Sequence, residues 1–223
     1  MNQAIDLDEL TLFRDMARRA FEQEITPHYE EWEAQRMVPR TLWNRLGEAG
    51  LLCPDMEEQY GGAGTSPHVT LAMIEELSEL GFGGFASGYG IHNNIIAPYL
   101  NHHGTEQQKA HWLPRMAKGE VVGALAMTEP GAGSDVQGIR THAVRDGDDW
   151  VLNGSKIFIT NGIHADLVIV AASTDPAARV ARHSRHSPDA PWAYAASTAP
   201  TPRLPPRAGN RKRMSCTTSQ YSV

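Results

Sequence analysis

Apolar positions over the first hundred-odd residues recur at helical spacing. Leu10, Phe13, Ala17, Ala20 and Phe21 fall on one face, and Asp6 or Asp8 can cap the helix that carries them. Pro27 lies near its end. A second helix is predicted after Pro39, carrying Leu42, Leu46 and Ala49 and stopping at Gly50. The stretch LLCPDMEEQYGGAGTSP, with Gly61, Gly62 and Gly64, reads as a loop. Ser66 then caps a helix with Pro67 at its first position, and Val69, Met73, Leu77 and Leu80 give it an apolar face as far as Gly81. A further helix is expected from about Phe85 to Leu100, and Thr105 caps another, EQQKAHWLPRMAK, ending near Gly119. Trp32, Trp43 and Trp112 sit within these patterns as packing residues.

The period changes after residue 120. VVGALAMT, residues 121 to 128, is a short apolar run with strand propensity. THAVR, DWVLNG, KIFITNG and DLVIVAA follow, separated by Asp-Gly and Asn-Gly pairs that predict the hairpins of a β-meander. The runs are too close together for helical crossovers, so an antiparallel sheet is expected. The fold class is therefore α+β and multidomain. An N-terminal all-α helical domain, 1–120, precedes an incomplete antiparallel β domain, 121–176.

Charge marks off the remainder. Residues 1–176 hold 25 acids and 12 Lys and Arg, a balance of −13, while residues 177–223 hold eight basic residues and one acid, a balance of +7. That last segment contains six prolines, little periodicity and few aliphatic residues. It admits three readings: a basic arm for nucleic acid or a membrane surface, a disordered tail, or out-of-frame sequence. Dilution of the basic residues by proline, without a helical stripe, argues against the arm, so no nucleic-acid partner is expected. No window approaches a membrane span, and the acidic N-terminus is unlike a signal or transit peptide. Two distant cysteines, Cys53 and Cys216, give neither a disulfide framework nor a zinc site. A cytoplasmic protein is expected.

Candidate chemistry concentrates in LAMTEPGAGS, residues 125 to 134. Gly131 and Gly133 do not begin a dinucleotide fingerprint, because Val136 occupies the third glycine position and a meander follows in place of a βαβ unit. No Lys-Ser/Thr follows to make a phosphate loop. Instead, one strand delivers Thr128 at its end, and Gly131 and Gly133 let backbone pass close to a ligand. Ser134 adds a hydroxyl. A second strand, KIFIT, ends in Thr160. Two strand ends carrying threonine can converge on one face and offer donors and acceptors to a ring such as a flavin isoalloxazine. Glu129 reads as a structural acceptor and Lys156 as a solvent-facing strand residue. Glu57-Glu58 and Glu75-Glu76 are adjacent on a helix or loop and do not face each other, so a solvated face is predicted over paired catalytic carboxylates. His102, His103 and His111 lack carboxylate spacing for a metal and read as surface residues; no metal is expected.

Residues 126–162, AMTEPGAGSDVQGIRTHAVRDGDDWVLNGSKIFITNG, closely resemble the flavin-binding segment of acyl-CoA dehydrogenases. QYGGAG and HGTEQQK extend the resemblance upstream, over about residues 8–175, and the combination is most similar to the long-chain members. The resemblance implies FAD as cofactor, with Leu125, Ala126, Met127 and Thr128 lining it and Thr128 bonding the pyrimidine side of the ring. Phe158, Ile159 and Thr160 would form the second flavin-contacting strand, and Ser134 would contact the acyl-CoA. Many relatives carry tryptophan where Phe158 stands. The family's reaction is α,β-dehydrogenation of acyl-CoA thioesters in the manner of fatty acid β-oxidation, with electron-transferring flavoprotein as acceptor and a homotetramer as the usual assembly.

The resemblance also implies a catalytic glutamate in a C-terminal helical domain, with no catalytic residue in this segment. Similarity is expected to end near residues 176–180, which suggests a truncated or frame-shifted member with impaired activity. Two functions follow: a flavoenzyme of this type, or a non-catalytic remnant acting as a helical interaction module.

Overall fold

The computed structural model describes residues 7–147 and 149–174, together with the two-residue strands Trp192–Ala193 and Ser215–Cys216. The rest of the basic tail, and Asp6 as a cap, lie outside the described residues. The chain divides into two compact units, with the break at Ala124 and Leu125.

The first unit is helical. Helix α1 spans Leu7–Glu24, so Asp8 sits inside its first turn. Thr26–His28 forms a 3₁₀ turn around Pro27 and leads directly into α2, Tyr29–Gln35, which the periodicity did not predict. This short helix buries only Tyr29 and Trp32, too few apolar positions to show a period. It ends at Arg36 in the left-handed region. Helices α3, Arg40–Glu48, and α4, Pro67–Glu79, match their expected places. The Ser66 hydroxyl accepts the His68 amide at the start of α4. Thr105 and Gln108 form a full capping box on α7, Glu106–Ala117.

The helix expected over 85–100 is longer and irregular. Helix α5, Gly83–Gly90, continues through a π-helical stretch, Ile91–Ile96, into α6, Ala97–His103. Pro98 withholds one donor from the helical ladder, and the residues ahead of it adopt the wider π winding.

The core of this unit joins Ala17 and Phe21 of α1, Leu42 and Leu46 of α3, and Val69, Met73 and Leu77 of α4. Phe85 and Tyr89 pack into it, with the Trp43 ring 5.5 Å from Phe85 and 5.0 Å from His92. Charge also joins α1 to α4. Arg14 and Arg18 reach Glu76 at 2.7 and 2.6 Å, and they pair with Glu75 and Glu79 as well. Glu76 is 4% exposed, so the solvated face predicted for Glu75-Glu76 holds only for Glu75. Two neighbouring arginines make burial of the Glu76 carboxylate tolerable. Trp32, Trp43 and Trp112 are buried and His102, His103 and His111 exposed, as expected.

His92, wholly buried on the π stretch, ties this core to the chain that leaves it. Its Nδ1 accepts the Gly123 amide at 3.2 Å, and its Nε2–H donates to the Met116 carbonyl at 3.3 Å. The Gly123 bond fixes which nitrogen carries the proton. A side chain on Gly123 would strike Ile96, whose Cγ2 lies 2.7 Å from where its Cβ would be.

The second unit is β. Strand β1 spans Gly123–Ala126, β2 His142–Asp146, β3 Asp149–Asn153, β4 Ser155–Lys156, β5 Leu167–Val170 and β6 Ala172–Ser173. β2 and β3 form the expected antiparallel hairpin, in register from His142↔Asn153 to Asp146↔Asp149, turning at Gly147 with φ +66°. The meander does not extend further. β1 pairs with β5 rather than β2, and β6 lies beside β2 in parallel at His142↔Ser173. The short strands β7, Trp192–Ala193, and β8, Ser215–Cys216, pair with β6 and β4. The cause is the segment after β1, which forms a loop anchored by Glu129 and leaves the place beside β1 to LVIV. Asn153-Gly154 is likewise no hairpin turn. A Cβ on Gly154 would meet the Thr141 side chain at 2.2 Å, so glycine here serves close passage.

Candidate functional site: two segments joined at Thr128

The two stretches singled out in the sequence meet through backbone. The Ile157 amide donates to the Thr128 carbonyl at 3.0 Å, which sets residues 127–129 against residues 155–157. Leu125 is half-buried and Ala126 buried in β1, while Met127 is exposed and Thr128 half-buried at its end. Beyond Thr128 the chain doubles back in a tight Glu129↔Ala132 bridge, then passes through a 3₁₀ turn, Val136–Gly138. Gly131, Gly133 and Ser134 are exposed, and nothing lies within 4 Å of a Cβ placed on either glycine.

The second stretch differs from its prediction. KIFIT is not a strand as far as Thr160. The strand stops at Lys156, and Phe158 takes φ +58°, which breaks the alternation. Ile159 is therefore buried while Phe158 is 48% exposed. Thr160 lies exposed in a turn in which Asn161 also has positive φ. The structure thus joins Thr128 to Ile157 directly and places Phe158, Ile159 and Thr160 just beyond that junction.

Lys156 is the largest departure. It is wholly buried, not solvent-facing. Its Nζ donates to the Met127 carbonyl at 2.7 Å and to Glu129 Oε1 at 2.9 Å. Glu129, 7% exposed, also accepts the Arg140 amide at 2.7 Å and the Thr141 amide at 2.9 Å. It is the structural acceptor that the sequence suggested. Burial opposes ionisation of Glu129, but the donors around it, Thr141 and the Arg140 amide ahead of Lys156, outweigh burial and hold its pKa at about 2. Burial pushes the Lys156 pKa down, against the pull of Glu129. Strand alternation could not reveal Lys156, because it places residue 156 on the same face as Phe158. The available clue was an acid immediately after Thr128, which needs a cation if it is buried.

The donor set suits a flat heteroaromatic ring. Exposed Met127 and Phe158 supply apolar contact, the hydroxyls of Thr128 and Thr160 supply polar edges, and the Gly131–Ser134 backbone is open to approach. Among the described residues no helix is long and apolar enough to cross a membrane.

Comparison with known proteins agrees with this arrangement. The family described as acyl-CoA dehydrogenase, N-terminal domain, matches residues 7–120, and the acyl-CoA dehydrogenase middle domain matches residues 124–187. The mitochondrial long-chain specific acyl-CoA dehydrogenase of Sus scrofa is 45% identical over 175 residues, 78% of this chain and 40% of that protein. The crystal structure of an acyl-CoA dehydrogenase from Geobacillus kaustophilus superposes with a TM-score of 0.75 at 46% identity, covering 80% of this chain and 46% of that one. A glutaryl-CoA dehydrogenase from Mycobacterium smegmatis in complex with FADH2 gives 0.70 at 36% identity, covering 76% of this chain and 45% of that one. The chain thus spans less than half the length of the relatives it matches.

Proposed function

Because this chain belongs to the acyl-CoA dehydrogenase family, we propose that it holds FAD and an acyl-CoA thioester for α,β-dehydrogenation. The observation that carries the proposal is the Ile157–Thr128 backbone bond, which joins the two segments assigned to the flavin. Leu125, Ala126, Met127 and Thr128 would form one wall, and Phe158, Ile159 and Thr160 the other. Ser134, exposed on the glycine loop, would meet the thioester. When bound, FAD supplies the acceptor for the β hydrogen of the acyl chain. The residues here bind and orient, with Thr128 offering a hydroxyl to a ring edge and Met127 and Phe158 offering apolar cover.

Removal of the α proton requires a carboxylate in a site that excludes water. Glu129 is unsuited to that role, since it is already ionised, buried and bonded to two amides and an ammonium. The proposal therefore assigns proton abstraction to a glutamate outside the matched segments. A long-chain acyl thioester as substrate, a cytoplasmic location, electron-transferring flavoprotein as electron acceptor and a homo-oligomeric assembly belong to the same proposal.

Absorbance of the purified full chain after FAD is supplied and the excess removed tests this reading. Retained flavin bands that shift when an acyl-CoA is added anaerobically are expected. A chain that retains no flavin overturns the proposal.

A further inference from the structure

We propose that Lys156 is a positioning residue for the flavin site, its buried ammonium locking residues 127–129 to the segment that carries Phe158 and Thr160. This inference rests on the flavin reading of those segments.

Three consecutive residues are held from one side. The Met127 carbonyl accepts from Lys156 Nζ, the Thr128 carbonyl accepts from the Ile157 amide, and the Glu129 carboxylate accepts from Lys156 Nζ. Glu129 in turn fastens the returning chain through the Arg140 and Thr141 amides. Thr128 therefore has no freedom to twist about its neighbours. Gly154 allows the approach, since its bare Cα lies against Thr141. Phe158, two residues beyond Lys156, takes the left-handed conformation and stands exposed.

Packing alone does not call for a lysine here. A buried ion pair is often replaceable by apolar side chains of similar volume without loss of stability. A methionine at 156 would fill the space, yet it could bond neither the Met127 carbonyl nor Glu129. The ammonium, with three hydrogens on a flexible stem, reaches both. The feature that only the charge supplies is the fixed spacing between the two segments.

The test compares the wild-type full chain with Lys156→Met and with Leu167→Ala, a core truncation in β5 of the same unit. FAD affinity is read by flavin fluorescence titration, stability by thermal melting, and local order by hydrogen exchange at the Ile157 amide. Lys156→Met is expected to weaken FAD binding tenfold or more and to deprotect Ile157. Leu167→Ala, at a similar loss of melting temperature, is expected to keep FAD affinity within about threefold and Ile157 protected. Equal losses in the two variants, or wild-type affinity in Lys156→Met, overturn the proposal. If Lys156→Met does not fold, Glu129→Gln, which keeps an oxygen for the ammonium but lacks the charge, is compared with Leu167→Ala under the same criteria. If the wild type takes up no FAD, the flavin reading fails and hydrogen exchange alone decides the lock: selective deprotection of Ile157 supports it, and equal deprotection rejects it.

Discussion

Two buried titratable residues make stability depend on pH through the same window. His92 has its pKa pushed down to about 4 by burial, below the usual 6.5. The unfolded chain therefore binds its proton first, and stability falls as pH drops from about 6.5 through 4, by roughly 3 kcal/mol in all. His92→Asn keeps an acceptor for the Gly123 amide and should flatten that part of a pH-dependent melting curve. A curve unchanged in the variant would rule out His92 as its source. Glu129 is also depressed, from 4.5 to about 2. Its contribution is complete above about 4.5 and is lost as pH falls through 2, again roughly 3 kcal/mol. Truncating it to alanine leaves Lys156 buried without its counter-charge and two amides unmatched, at a cost of about 3 to 5 kcal/mol by urea unfolding at neutral pH.

At the level of elements, most helices were legible because Ser66, Thr105 and Pro67 mark starts that backbone chemistry requires. Thr105→Ala should cost about 1 kcal/mol, seen as fraying of α7 in hydrogen exchange with the remaining helices unaffected. The β unit was less legible. The Asp-Gly hairpin at 146–147 follows from local turn chemistry and was read correctly. The pairing of β1 with β5 is non-local, and no turn signal encodes it. Asn153-Gly154 looked like a second hairpin because glycine serves turns and close contacts alike. At the site, the glycine loop and Thr128 could be read from the sequence, whereas the burial of Lys156 depends on which segment lies opposite. Gly154→Ala should force Thr141 aside and destabilise the unit by about 1 to 3 kcal/mol. An alanine variant that unfolds at the wild-type urea midpoint would show that Thr141 yields freely.

On the scale of the whole molecule, a helical unit and a β unit share one chain, and the residues assigned to FAD all belong to the second. If FAD binds the folded chain alone, a concentration one hundred times the dissociation constant adds about 2.7 kcal/mol, measurable as a rise in melting temperature. The β unit also exposes Val144, Trp150 and Ile163. Concentration-dependent association is expected from these apolar side chains, and sedimentation of a strictly monomeric species at high concentration would contradict it. The π winding at Ile91–Ile96 has its own consequence for the helical unit. It sets the rotational phase between α5 and α6, which otherwise follow one axis. Deleting one residue there would let ordinary α winding close the gap, but it would turn α6 by about 100° relative to α5. His92 and Leu100 could not then both remain in the interior. For this stretch, residue count is a stricter requirement than residue identity, and length changes should be tolerated less well than substitutions.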